Sequence, residues 1–201
     1  GYMLAALSAL GSGLADSATQ EILQISVIFH LSVLVLFKMG AFLVLTLVEI
    51  DSGEGTISDL HGLARRDPVV AVSMFIFMIS LAGIPPLSGF LSKLLMINGL
   101  VTTTSGTGSD GATDALSWIQ SVDPFFLLAL AIVLNSALSL FYYLRIGLVM
   151  FFEDTDKQKP LPKATMLRAV IVLSAVMTVL FGLGPASQWL LGLVETAVST
   201  F

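Results

Sequence analysis

The chain has no cysteine, which excludes disulfides, thiolate metal sites and cysteine nucleophiles. Histidine is nearly as scarce. His30 and His61 are the only 2, too few for a histidine-rich metal site, and no metal or cofactor pattern replaces them. Charged residues make up only 11% of the chain, where ordinary soluble domains carry about 25%. The basic ones form no patch, so nothing points to nucleic acid. The net charge of −5 comes from acidic residues spread over the connections. There is no initiating methionine and no basic n-region, so the first fifteen residues do not read as a signal peptide. A chain that opens inside an apolar run is expected to be the C-terminal portion of something longer. The short alternating segments of a membrane β-barrel are also missing.

What is present is apolar: 56% hydrophobic residues and a mean hydropathy of +0.95. The sequence therefore predicts an all-α integral membrane protein in contact with the lipid bilayer, a polytopic helix bundle forming one membrane domain over 1–201. Residues 1–15 read as a partial helix, and 20–49, 69–101, 124–152 and 164–185 as spans, about four full crossings plus the partial one. The 69–101 run is about 50 Å of ideal helix, whereas a bilayer core needs about 20 residues. Gly83, Ile84, Pro85 and Pro86 interrupt it, with Gly89 soon after. The prolines delete two amide donors and clash with the preceding turn, and backbone freed at depth persists only where protein or a water-filled cavity satisfies it. Such a run is one broken span or a re-entrant pair. Loop charges separate the two. Basic residues occur in 51–68 and 153–163 and are absent from 11–20 and 102–123. This alternation makes each apolar run cross once, so 69–101 becomes a single discontinuous span. It places loops 51–68 and 153–163 in the cytoplasm and loop 102–123 and the C-terminus outside, with Arg65, Arg66, Lys157, Lys159, Lys163 and Arg168 as topology determinants. A short surface helix is expected over 115–120.

Titratable groups inside apolar runs are the candidates for chemistry. An ammonium at depth costs about 2.5–3.5 kcal/mol on insertion scales. Lys93 follows the helix break directly. It either snorkels toward the interface or serves as a proton relay, and a snorkelling lysine needs no broken helix. Lys38 lies near the middle of 20–49. His30 precedes it by a rotation of about 80°, and Glu49 follows after about three full turns, so the three share one broad side of the helix. They read as a bundle-facing proton wire, or, for Glu49, as the helix end at the interface, and for His30 as one structural hydrogen bond. Asn135, Ser139 and Tyr142 recur at i, i+4 and i+7 and line one face, either packing helices or hydrating a channel. His61 sits in a polar loop and reads as inert.

The strings LAGIPPLSGFLSK (81–93) and LNSALSLFYYLRIGLVMFF (134–152) resemble the C-terminal half of the antiporter-like subunits of respiratory complex I, the proton-translocating NADH:quinone oxidoreductase. They are also similar to Mrp-type sodium/proton antiporter subunits and membrane-bound hydrogenases. GYMLAALSAL, KMGAFLVLTLVE and HGLARRDPVVA look most like subunit N (subunit 2). The resemblance implies a longer helical subunit with a discontinuous helix at Gly83–Pro86. It implies a proton-channel lysine at Lys93, partners among the other membrane subunits, residence in a prokaryotic energy-transducing membrane, and no redox cofactor in this chain. It further implies a non-redox pumping role in an enzyme complex, driven by electron transfer elsewhere; the alternative is a sodium/proton antiporter or hydrogenase subunit. Related subunits carry a His–x3–His–x3–Lys pattern, which His30 and Lys38 match at its ends while Leu34 stands at its centre.

Overall fold

The computed structural model describes residues 1–53, 55–104, 123–154, 161–162 and 164–200. All regular structure among them is helical: α1 (Tyr2–Gly11), α2 (Ser17–Ser52), a 3-10 turn (Ile57–Leu60), α3 (Leu63–Arg66), α4 (Pro68–Ala82), α5 (Ser88–Thr104), α6 (Pro124–Phe152), α7 (Thr165–Leu180) and α8 (Gly184–Val198). The helix expected over 115–120 lies outside the described residues. Two helices, α2 and α6, are each long and apolar enough to cross a membrane. The run expected over 164–185 ends earlier, at Leu180, where the chain turns before α8 begins.

The residues divide into two compact units, one of Gly1–Leu31, Ser92–Ser136 and Trp189–Phe201, the other of Ser32–Leu91 and Ala137–Gln188. The first is built on small residues. Ala5, Ala6 and Ala9 of α1 are buried beside Leu23, Met96, Leu100, Phe125, Ala129 and Ile132. In lipid the tails are as apolar as leucine, so close van der Waals packing of small residues, rather than hydrophobic exclusion, holds helices together. At Gly99 an added Cβ would come within 2.6 Å of the Leu23 side chain, so α5 meets α2 on the bare glycine. Local polar groups close the ends of these helices. Asp16 accepts from the Thr19 amide at 3.0 Å, an N-terminal cap for α2. Hydrogen bonds from Thr19 hold the Asp16 carboxyl below its usual value. Asp123 does the same for α6, accepting from Phe125 N at 2.7 Å ahead of Pro124 in the first turn, where a missing N–H costs nothing.

The second unit contains the break. Asp67 caps α4, accepting from Val70 N at 3.3 Å, with Pro68 at the first helical position. Its other oxygen receives the Arg168 guanidinium of α7 at 2.5 Å, and Arg168 also donates to the carbonyls of Leu161 and Pro162. One buried carboxylate thus starts α4 and ties it to α7, and the two helices pack along their lengths. Arg66 pairs with Asp51, Arg65 with Asp154, and His61 lies 3.1 Å from Glu153. Of the loop cations expected to set topology, Arg65, Arg66 and Arg168 are therefore also ion-paired, and Lys157, Lys159 and Lys163 lie outside the described residues. His61, expected to be inert, has a carboxylate beside it.

At its far end α4 closes with a left-handed Gly83 (φ +82°). Gly83 N bonds Ser80 O at 3.0 Å and Ile84 N bonds Ile79 O at 3.1 Å, the Schellman arrangement that satisfies the last carbonyls. Pro85 and Pro86 follow through a cis peptide, and α5 begins at Ser88. Two glycines seal this break. An added Cβ on Gly89 would overlap the Ser80 carbonyl, and Gly89 N donates to Ser80 Oγ at 3.2 Å. A Cβ on Gly182 would overlap the Pro86 carbonyl and the Leu87–Ser88 backbone. On α2 the Phe77 ring occupies the space a Cβ would take at Gly40, and Phe75 does so at Gly147 of α6.

Because the atoms met at Gly89 and Gly182 are backbone and cannot swing aside, Gly89→Ala and Gly182→Ala are each expected to cost about 1–3 kcal/mol, the usual penalty of overpacking. Gly192→Ala, where nothing lies within 4 Å, is the control. Thermal unfolding in detergent checks this, and equal midpoints for the Gly89 and Gly192 variants would show that the break is not close-packed.

Candidate functional site around Lys93

Lys93 lies one turn into α5 and is 6% exposed. Its Nζ sits 5.2 Å from the centre of the Tyr2 ring, inside the range where a ring face attracts a cation. Tyr2 lies on α1, and its ring points into the bundle. The Tyr2 hydroxyl accepts from Asn135 Nδ2 of α6 at 2.6 Å. The ring meets the His30 imidazole of α2 edge to face, with centroids 6.2 Å apart and planes at 84°. His30, 4% exposed, places Nδ1 2.9 Å from Ser92 Oγ, which is fully buried. Four helices therefore converge within the first unit, and Tyr2 touches a residue from each of the other three.

This arrangement suits proton movement. Imidazole takes a proton at one nitrogen and releases it from the other, and a serine hydroxyl both donates and accepts. Either group of the His30–Ser92 pair can therefore be the donor. Lys93 supplies an amine that gains and loses charge. Among the described residues no group of three or more His, Cys, Asp or Glu side chains converges in the manner of a metal centre. An apolar groove of about 520 Å³ between α4 and α7, lined by Val72, Ile76, Val172, Val176 and others, carries no titratable side chain.

The family model described as NADH:quinone oxidoreductase/Mrp antiporter, transmembrane, matches residues 1–109. The chain belongs to this family. NADH-quinone oxidoreductase subunit N 2 of Sorangium cellulosum is 33% identical to it over 184 residues, 90% of this chain and 31% of that protein. NADH-quinone oxidoreductase subunit N of Salinibacter ruber is 32% identical over 98% of this chain and 36% of its own length. Among solved structures, a chain of respiratory complex I from Thermus thermophilus with bound aureothin superposes with a TM-score of 0.59 at 25% identity. The match covers 97% of this chain and 43% of that one. The chain spans about a third of the length of the curated relatives it matches. With its apolar helices, membership of this family makes it an integral membrane protein.

Of the residues singled out in the sequence of this antiporter-family chain, Lys93, His30 and Asn135 come together through Tyr2. Lys38 and Glu49 do not join them. Both are exposed on α2 within the other unit. Leu34, at the centre of the His–x3–His–x3–Lys pattern, is half-buried. Ser139 is half-buried and Tyr142 is exposed, the latter edge-on to Phe141 with centroids 5.9 Å apart. Sequence reasoning missed Tyr2, Ser92 and Gly182. Ser92 adjoins Lys93 and could have been suspected as a hydroxyl next to a membrane-buried amine. Tyr2 and Gly182 carry no local signal. Ser88, where α5 starts, is also buried, and its hydroxyl has no hydrogen-bond partner among the described residues.

Losing one partner of a buried hydrogen bond leaves the other desolvated, at about 1–3 kcal/mol. Ser92→Ala is expected to cost that much stability in the purified complex. Adding His30→Leu should recover part of it, because an apolar pair leaves nothing unsatisfied. Strict additivity in the double-mutant cycle would show that the two side chains do not interact.

Proposed function

We propose that this chain belongs to a proton-translocating membrane subunit of a NADH:quinone oxidoreductase-type complex. In this reading electron transfer in other subunits drives proton movement through buried lysines, and this chain binds no redox group of its own. The observation that carries it is Lys93: an amine almost wholly buried in an antiporter-family chain, lying against an aromatic ring beside a buried imidazole–hydroxyl pair. The names of the relatives reported above, subunits N of that oxidoreductase, support the reading, and the other membrane subunits of such an assembly are its partners. Sodium/proton antiport within the same family is the second reading. Leu34 weighs against it, since a leucine can neither carry nor pass on a proton.

Lys38 has a place in this scheme despite its exposure. A charged lysine facing hydrocarbon at mid-helix costs about 2.5–3.5 kcal/mol, so its partner is another part of the subunit or a neighbouring one. Glu49 would end this outer path. The membrane arrangement follows the loop charges: four full crossings, α2, the broken α4–α5 pair, α6 and α7, with α1 partial. Loops 51–68 and 153–163 face the cytoplasm.

Where a proton carrier is obligatory, its removal costs about 10²-fold or more. Lys93→Ala and Lys38→Ala are each expected to bring quinone-coupled proton uptake by vesicles carrying the assembled complex close to background. Near-normal pumping in both would sink the lysine relay, and sodium-dependent uptake in the unaltered complex would favour antiport. The orientation has a separate measurement. Because the chain has no native cysteine, Leu14→Cys should label only from outside and Ile57→Cys only from the cytoplasm, and the reverse pattern inverts the topology.

A further inference from the structure

Tyr2 is fixed at two points and used at a third. Asn135 holds its hydroxyl, His30 packs against it in a T-shaped contact, and Lys93 Nζ lies over its ring. Asn135 lies on α6, His30 on α2 and Lys93 on α5, so the ring's position is set by helices other than the one carrying the lysine. The Asn135 amide donates to the phenol oxygen, which leaves the phenol's own proton in place. The ring's usefulness lies in its face.

That face attracts a cation through its quadrupole and has no comparable attraction for a neutral amine. We propose that Tyr2 is a positioning residue for Lys93: an aromatic latch that holds the side chain beside the His30–Ser92 pair while Nζ carries its proton and lets it go once the proton has left. The proposal rests on the reading of Lys93 as a proton carrier and adds to it the group that times the carrier's movement. When the ammonium gives its proton to the next acceptor on the path, the amine is left neutral, the attraction to the ring lapses, and the flexible four-carbon stem can swing from the ring face. Reprotonation restores the latch. Tyr2 neither donates nor accepts a proton in this cycle. Asn135 acts through Tyr2, keeping the ring from turning its edge to the lysine.

The test uses the full-length subunit in the assembled complex, reconstituted in vesicles, with protons translocated per electron pair as the readout. At the Tyr2 position it compares tyrosine, phenylalanine, and phenylalanines carrying one, two and three ring fluorines, which keep the ring's shape while draining the charge from its face. Phenylalanine is expected to retain most pumping, having lost only the Asn135 tether. Each added fluorine is expected to lower the yield in order, by between about twofold and thirtyfold over the series, the span of cation–π strengths from wet to desolvated sites. Tyr2→Leu should fall to the level of the most fluorinated ring. A merely structural aromatic would not follow fluorination, so equal yields across the fluorinated series overturn the latch even if Tyr2→Leu fails to assemble. Lys93→Ala measured in parallel separates the two levels. Loss of pumping there with a flat fluorine series overturns the latch alone, whereas normal pumping in Lys93→Ala overturns the carrier reading and the latch with it.

Discussion

A hydrocarbon interior offers no water to satisfy a polar group, so every donor, acceptor and charge at depth must find its partner in protein. The architecture follows from that constraint at each point where the helices depart from regularity. The α4 terminus exposes carbonyls, and the left-handed Gly83 folds two amides back onto them. The next segment carries two prolines with no amides to offer, and it is closed by contact instead, Gly89 against the Ser80 carbonyl and Gly182 against Pro86 to Ser88. Lys93 meets the same demand with an aromatic face, and His30 meets it with Ser92.

The same constraint explains why Asp67 matters beyond its own turn. Its two oxygens serve different helices, one capping α4 and one holding Arg168 of α7. A surface ion pair contributes little, as the largely exposed Arg65–Asp154 pair must. Asp67 is 6% exposed, and a partner lost there would leave a charge that nothing else compensates. Arg65, Arg66 and Arg168, read from the sequence as topology determinants, thus also form ion pairs at the helix ends.

Much of this is written in the sequence because it is local. Helix boundaries at Pro124 and Phe152, the break at Gly83–Pro86 and the titratable groups at His30, Lys38 and Lys93 all announce themselves through composition and the chemistry of single residues. Tyr2 does not. It lies far from His30 and Lys93 along the chain, and its significance comes only from the way α1, α2, α5 and α6 meet. Gly182 is similar: a glycine near a helix end invites a conformational explanation, yet its role is to admit the backbone of a distant turn. The face shared by His30, Lys38 and Glu49 shows the opposite limit. A helical wheel puts them on one broad side, but about 80° of rotation is enough for His30 to be buried while Lys38 is exposed.

That divergence along α2 has a consequence for how charge can move. On the reading of Lys93 as a proton carrier, an almost wholly enclosed lysine needs a counterpart to stabilise each state, and Lys93 has the Tyr2 face beside it while its neighbour Ser92 pairs with His30. Lys38 has neither from this chain. On the proposed reading, a second set of groups, contributed from elsewhere, faces it in the assembled membrane protein. The two lysines of one segment then belong to two differently built environments, one closed by the segment's own helices and one completed by its neighbours. Between His30 and Lys38, α2 buries apolar Val33 and Phe37, and no titratable side chain lies on the helix between them.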